Sequence, residues 1–175
     1  MKHAFPVRAT LATSAALLAT MGVTSAAGSA SAHQESSAAA QARPDRQPSE
    51  ARIAALFDRW NAALLTRDSA RVTALYAHDA VLLPTVSPRI RTNHAEIADY
   101  FDHFLEKKPV GEKVRSVITV LDENSAIDAG LYRFTLTEKD GTKTTVDARY
   151  TYAYEKIRGR WLIVNHHSSV LPAAG

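Results

Sequence analysis

The spacing of hydrophobic residues along the chain changes near residue 110. Before that point they recur every three or four residues, the period of an amphipathic helix, and beyond it they alternate with polar residues, the period of a strand. The helical positions form three groups: Ile53, Leu56, Phe57, Trp60 and Leu64; Val72, Leu75 and Tyr76; Ile97, Tyr100, Phe101, Phe104 and Leu105. The pattern therefore predicts three helices followed by strands.

Polar residues mark where the predicted helices begin and end. Ser49 and Asp68 are good N-caps for the first two helices, and Asn93 with Glu96 has the spacing of a capping box for the third. We expect Gly111 to end the third helix.

Strands are predicted at 80–83, where Pro84 ends a short apolar run, and then at 114–121, 127–137, 144–157 and 160–170. Helices that precede a run of antiparallel strands are typical of an α+β domain, with the three N-terminal helices packed on one face of the sheet. Long strands twist, so we expect a strongly curved, mainly antiparallel sheet in a cone-like roll that leaves a cavity under the helices.

The start of the chain has the pattern of an export signal. Lys2 and Arg8 supply positive charge, 11–23 is apolar, and Ala30-Ser31-Ala32 forms an A-x-A cleavage site. A membrane-spanning helix is disfavoured, because the apolar stretch is short and interrupted by threonines. The pattern predicts a signal peptide over 1–32, and hence a secreted or periplasmic protein with no membrane attachment after its removal.

The segment 33–48 contains no aromatic and no large aliphatic side chain. It cannot bury enough apolar surface to offset the entropy lost on ordering, so we expect a disordered tether. The folded domain is predicted over 49–172, with a short tail at 173–175.

Composition removes several classes of function. The chain has no cysteine, which excludes disulfides, a thiol nucleophile, a zinc–thiolate site and a cysteine-linked lipid anchor. Its net charge of +3 falls to about +1 without the predicted signal, and no basic stripe is present, so we expect no nucleic-acid partner. A glycine-rich dinucleotide loop is also missing, and no cofactor is predicted.

Several short motifs resemble one family. They are Trp60-Asn61 with Asp68, Tyr76-Ala77 with Asp79-Ala80-Val81, Leu131-Tyr132-Arg133, Arg149-Tyr150-Thr151, and the last strand from Gly159 to Val164 followed by His166-His167-Ser168-Ser169. With the order of elements, they make 49–172 similar to the nuclear transport factor 2-like (SnoaL-like) superfamily, and within it to bacterial relatives of the calcium/calmodulin-dependent protein kinase II association domain. The resemblance implies the cone-like fold and self-association. Because the superfamily includes isomerases, dehydratases, hydrolases and binding modules, it does not decide function.

The resemblance also implies a carboxylate-binding pocket. Arg133 aligns with one pocket arginine of the kinase domain, whereas Ser168 stands where the last strand would supply another. From strand parity alone, Arg133 and Arg149 share one face of the sheet, and an aromatic set occupies the other: Tyr132, Phe134, Tyr150, Tyr152 and Tyr154. Each arginine has three interpretations: a ligand carboxylate, an internal ion pair with Asp147 or Glu155, or solvated surface.

Histidines and acids add further candidates. His166 and His167 are adjacent on a strand and point to opposite faces, so no metal site is predicted. If His167 faces inward with Arg149, it can act as an acid or base; the alternative is a hydrogen-bonded structural histidine. We expect Asp128 and Asp147 at an edge or on the surface.

Two functions remain. The first is an exported small-molecule-binding and self-association domain, a homodimer or higher ring joined through the outer sheet face, with a pocket for an acidic or aromatic ligand. The alternative is a cofactor-independent isomerase, dehydratase or cyclase that uses a pocket histidine, with His167 as the catalytic candidate, and a carboxylate. The predicted ligand-binding residues are Arg133, Arg149, Tyr152, His167 and Trp60.

Overall fold

The computed structural model describes residues 47–85 and 87–173, which belong to one compact unit, Ala42–Gly175. The predicted signal peptide at 1–32 and the predicted tether, apart from Gln47 and Pro48, lie outside the described residues. None of the described helices is long and apolar enough to cross a membrane.

Three helices form in the predicted regions: α1 (Glu50–Leu65), α2 (Ser69–Thr73) and α3 (His94–Glu106). α2 is shorter than predicted, because Leu75 and Tyr76 lie beyond its end and Tyr76 belongs to the first strand. The predicted N-caps of the helices are confirmed, since the side chains of Ser49, Asp68 and Asn93 each accept a hydrogen bond from a backbone N–H of the first turn. These caps satisfy donors that a helix leaves free at its start.

Five strands follow the order β1 (Tyr76–Leu83), β2 (Val110–Val120), β3 (Ser125–Thr137), β4 (Lys143–Ile157) and β5 (Arg160–Val170). They lie side by side as β1-β5-β4-β3-β2. Only the β1–β5 pair is parallel, and the other three pairs are antiparallel. The α+β prediction with a mainly antiparallel sheet is confirmed.

Several strands begin earlier than predicted, and β2 starts at Val110 where 114 was expected. β1 begins four residues early, because Tyr76 pairs with Ile163 of β5. Gly111 does not end α3: it lies inside β2, where its N–H and C=O both bond to the side-chain amide of Asn61, at 3.0 and 2.8 Å. A side chain at Gly111 would place its Cβ 2.8 Å from the Asn61 oxygen, so glycine permits this close contact between α1 and β2.

The sheet has two unlike faces. The inner face, against the helices, carries the buried side chains of Tyr132, Phe134, Tyr150, Tyr152, Tyr154, His166 and Ser168. The outer face carries Arg133, Arg149, Thr151 and His167, which are exposed or partly exposed. From α1, Phe57 stacks on Tyr150 at 5.9 Å and Trp60 meets Tyr152 edge-on at 5.7 Å. The hydrophobic core therefore lies between α1, α3 and the inner face.

Candidate functional site

A cavity opens in this core between α1, α3, the end of β1 and the inner face of the sheet. Most of its wall is aromatic, from the rings of Trp60, Tyr100, Phe101, Phe104, Tyr132 and Phe134. It leaves about 30 Å³ for the centres of water molecules, which is space for about two waters. A larger ligand requires some of these side chains to move.

The polar part of the wall consists of hydroxyl groups and one imidazole. Tyr132 donates its hydroxyl hydrogen to Ser168, and Ser168 also shares a hydrogen bond with Thr85. Burial raises the pKa of Tyr132 to about 12, so this phenol remains a neutral donor in the physiological range.

His166 lies in the same wall, at the inner end of a hydrogen-bonded chain. The indole Nε1–H of Trp60 donates to the hydroxyl oxygen of Tyr76 at 3.0 Å, and that hydroxyl lies 2.8 Å from Nδ1 of His166. The imidazole stacks on the ring of Tyr152, with centroids 4.1 Å apart. Burial, with a smaller effect of His167, lowers the pKa of His166 to about 3, so the ring is neutral.

Beside the cavity lies a wider depression of about 230 Å³, lined in part by Arg91, His103 and Lys107. Tyr100 and Phe104 line both the depression and the cavity. Because both rings are partly exposed and stack on each other at 5.7 Å, a change in their rotamers would connect the two spaces.

Arg91 is unusual among the described basic residues because it is buried. Its side chain is 7% exposed, and its nearest carboxylate oxygen, from Asp99, is 3.7 Å from Nη2. Nε and Nη1 are buried and have no hydrogen-bond partner among the described residues. A buried guanidinium with free donors is costly, so this site favours an acceptor supplied from outside the described chain.

A second buried cluster of polar side chains is centred on Asp128. The expectation that Asp128 lies at an edge or on the surface was wrong, because its side chain is fully buried. Its Oδ1 accepts hydrogen bonds from Ser116 at 2.5 Å and from the hydroxyl of Tyr150 at 3.0 Å. The inner-face position of Asp128 follows from its alternation with Ala126 and Tyr132 on β3. Asp128 does not line the cavity described above.

The predicted site residues are divided between the two faces. Trp60 lines the cavity, and Tyr152 lies behind it, stacked on His166. Arg133, Arg149 and His167 lie on the outer face and do not line the cavity. The structure therefore brings Trp60 and Tyr152 together and separates both from the other three.

Arg133 makes the internal ion pair that the sequence left open as an alternative. Its Nε and Nη2 donate to the two carboxylate oxygens of Asp147, at 2.7 and 3.1 Å. Arg149 faces the same side two strand positions after Asp147. Binding of an acidic group by Arg133 and Arg149 stays a prediction, and on this geometry its ligand would lie on the outer face.

The sequence did not single out Arg91 or His166. Arg91 follows a loop with no hydrophobic period, and only its backbone bridge to Leu82 places it beside α3. His166 was one of two adjacent histidines, and strict strand alternation favoured its neighbour His167. Among the described residues, no group of three or more histidine, aspartate or glutamate side chains is arranged to hold a metal ion.

Comparisons with known proteins agree on the fold. The family model for the calcium/calmodulin dependent protein kinase II association domain matches residues 49–172. No curated protein matches the chain.

Solved structures of similar proteins include one from Xanthomonas campestris, described as such an association domain: it is 54% identical, with a TM-score of 0.70, over 73% of this chain and 91% of that one. A nuclear transport factor 2-like protein from Salmonella enterica is 20% identical, with a TM-score of 0.61, and the match covers 70% of this chain and 91% of that protein. The association domain of the C. elegans calcium/calmodulin-dependent protein kinase II is 14% identical, with a TM-score of 0.54, and the match covers 67% of this chain and 92% of that domain. The last two show the fold alone, whereas the family match and the Xanthomonas protein show that the chain belongs to the calcium/calmodulin-dependent protein kinase II association-domain family.

Proposed function

We propose that this domain binds a small aromatic acid, with the aromatic body in the cavity and the acidic group in the adjoining depression. The observation that carries this is Arg91: a buried guanidinium with two unpartnered donors, beside a cavity walled by aromatic rings. A carboxylate would supply the missing acceptor, and a guanidinium binds one through two parallel hydrogen bonds.

Nearby charges favour the same ligand. Lys107 adds a second cation to the depression, and its ion pair with Glu138 is half-exposed, so the pair stabilises little and can open. Asp99 reduces the positive charge on one side of Arg91, but at 3.7 Å it is beyond hydrogen-bond distance.

The alternative enzymatic function has no specific support from this geometry. None of the described residues that line the cavity is a carboxylate. His166 is the histidine that reaches the cavity, and a pKa of about 3 makes it a poor proton acceptor near neutral pH.

The test is calorimetric titration of benzoate and phenylacetate into the wild type and Arg91→Lys. Lysine keeps the charge but lacks the planar fork, so we expect Arg91→Lys to weaken binding about ten- to a hundredfold, or about 1.5 to 3 kcal/mol. Arg149→Lys, on the outer face, is the matched control and should bind as the wild type does. No binding to the wild type, or an equal loss in the control, would overturn the proposal.

We further propose that the domain self-associates, as its family membership suggests. On the outer face, one row across four strands contains no Asp, Glu, Lys or Arg: Val117 pairs with Ala129, Ala129 with Thr151, and Thr151 with His167. Val117 is 55% exposed. Because these side chains are mostly small and uncharged, the row can pack against the same row of a second copy in a two-fold dimer.

Light scattering at micromolar concentration should report a dimer or a multiple of it. In a two-fold dimer, Ala129→Glu brings the negative charges of the two copies close together, so it should shift the measured mass towards that of the monomer. Lys139→Glu lies in the exposed β3–β4 turn and should leave the mass unchanged. A monomeric wild type would contradict the proposal.

Export remains a proposal that rests on the pattern at 1–32. The intact mass of the protein from the exported fraction should correspond to a chain that begins at His33. Retention of residues 1–32 in that fraction would contradict it.

A further inference from the structure

The hydrogen-bonded chain at the buried end of the cavity favours one tautomer of His166. Trp60 Nε1–H can only donate, so the Tyr76 oxygen accepts from it. Among the described residues, the acceptor within hydrogen-bond distance of the Tyr76 hydroxyl hydrogen is Nδ1 of His166, 2.8 Å from the hydroxyl oxygen. In a neutral imidazole, an accepting Nδ1 leaves the proton on Nε2.

Nε2–H of His166 is then a buried donor without an acceptor. Nε2 has no hydrogen-bond partner among the described residues, although His166 lines the cavity. The ring cannot turn away to find one, because it is stacked on Tyr152 and meets Trp60 edge-on at 5.5 Å. An unpaired buried donor costs about 1 to 3 kcal/mol, so this position favours an acceptor from a ligand.

The surroundings of this donor carry no formal charge. The other polar groups of the described cavity wall are the hydroxyls of Thr85, Tyr100, Tyr132 and Ser168, and burial raises the pKa values of Tyr100 and Tyr132. An ionised group placed here would lose its hydration with no opposite charge beside it. The acceptor that fits is therefore neutral.

We infer that the buried end of the cavity recognises a neutral acceptor oxygen, such as the carbonyl of a ketone or aldehyde, through Nε2–H of His166. This inference rests on the proposed function and narrows it. The acid lies at Arg91 and the carbonyl at His166, so the ligand class is an aromatic acid that carries a carbonyl group at its opposite end.

The tautomer can be tested without any ligand. Nitrogen-15 NMR of histidine-labelled protein at neutral pH should show His166 with its proton on Nε2. Tyr76→Phe removes the donor to Nδ1 and should shift the population towards the Nδ1–H form. A charged imidazole, or a proton on Nδ1 in the wild type, would overturn the inference.

Recognition is tested with two acids that differ at one atom position. 4-Acetylbenzoate carries a carbonyl opposite its carboxylate, and 4-isopropenylbenzoate replaces that C=O by C=CH₂ with nearly the same shape. We expect the wild type to bind the acetyl acid about tenfold more tightly, as for one buried neutral hydrogen bond. His166→Phe, which keeps an aromatic ring but no donor, should lose the preference.

The outcomes separate the two proposals. Equal affinity of the wild type for both acids overturns the carbonyl inference and leaves the aromatic-acid proposal standing. Binding of neither acid overturns both. A preference that survives in folded His166→Phe assigns the carbonyl to another donor and also overturns the inference.

Discussion

The two faces of the sheet show how one strand can carry opposite chemistry. On β4, Tyr152 is fully buried, whereas its neighbour Thr151 is partly exposed on the outer face. On β5, His166 is 3% exposed and His167 is exposed. The inner face carries buried hydroxyls, a neutral imidazole and the carboxyl group of Asp128, and its Lys113 donates to a carbonyl of α1. On the outer face, Arg133 and Asp147 form an ion pair that water screens. Equal substitutions on the two faces should therefore have unequal effects.

The largest contrast is expected between Tyr152→Ala and Thr151→Ala. Tyr152 packs against Phe57, Trp60 and His166, so its truncation leaves a cavity that costs about 3 to 5 kcal/mol. Thr151→Ala should change the free energy of unfolding by about 0.5 kcal/mol or less. Urea unfolding curves measure both, and similar losses would contradict the contrast between the two faces.

Gly130→Ala tests the inner face where no side chain fits. A Cβ at Gly130 would lie 1.9 Å from the backbone oxygen of Arg115 and 3.0 Å from the Tyr150 hydroxyl, so β2 and β3 would have to separate. We expect a loss of about 3 kcal/mol, at the upper end of overpacking costs. Urea unfolding curves measure this loss, and Ala129→Ser, one residue away on the outer face, should be nearly neutral in the same assay.

The adjacent histidines should differ in how they link stability to pH. His166 has a pKa of about 3 when folded and an ordinary value of 6.5 when unfolded, so the unfolded state takes up its proton first. The contribution of His166 to the free energy of unfolding is therefore fully present above pH 6.5. It falls as the pH drops from 6.5 towards 3, by up to about 1.4 kcal/mol per pH unit. Between pH 6.5 and 4.5 the expected loss is about 2 kcal/mol.

This loss is measured by urea unfolding from pH 7 to 4.5, with the variants compared at matched pH because carboxylates begin to titrate at the lower end of this range. His103 acts in the opposite direction, because its hydrogen bond to the Asp99 carbonyl raises its pKa, so the series is run on a His103→Gln background. His166→Phe should flatten the pH dependence, and His167→Gln should preserve it. An unchanged slope in His166→Phe would refute the assignment.

The smallest effect is expected for the outer-face ion pair between Arg133 and Asp147. Both side chains are nearly half-exposed, at 48% and 44%, so solvent screens their attraction. A double-mutant cycle with Arg133→Met and Asp147→Asn should give a coupling energy of about 1 kcal/mol or less, reduced further in 1 M salt. A coupling above 2 kcal/mol would show that solvent does not screen this pair.

Much of the fold could be predicted from local patterns. The helices, their N-caps and four of the strands follow from residue spacing, because periodicity and capping act over three to four residues. The remaining strand, β1, was predicted at half its length, since its first residues alternate poorly and are held by pairing with β5. Asp128 was placed wrongly because its hydrogen-bond donors, Ser116 and Tyr150, lie twelve and twenty-two residues away in the chain.

The sequence by itself determined the class of the domain, the aromatic inner face, and the common face of Arg133 and Arg149. Only the tertiary structure decided which face holds the cavity and which histidine reaches it. Trp161 and Ile163 point inward, and strict alternation would continue to His167. Val164 is an extra residue in β5, since Tyr154 pairs with Ile163 and Ala153 with Asn165. This bulge shifts the alternation by one and turns His166 inward, because a single inserted residue exchanges the two faces of a strand.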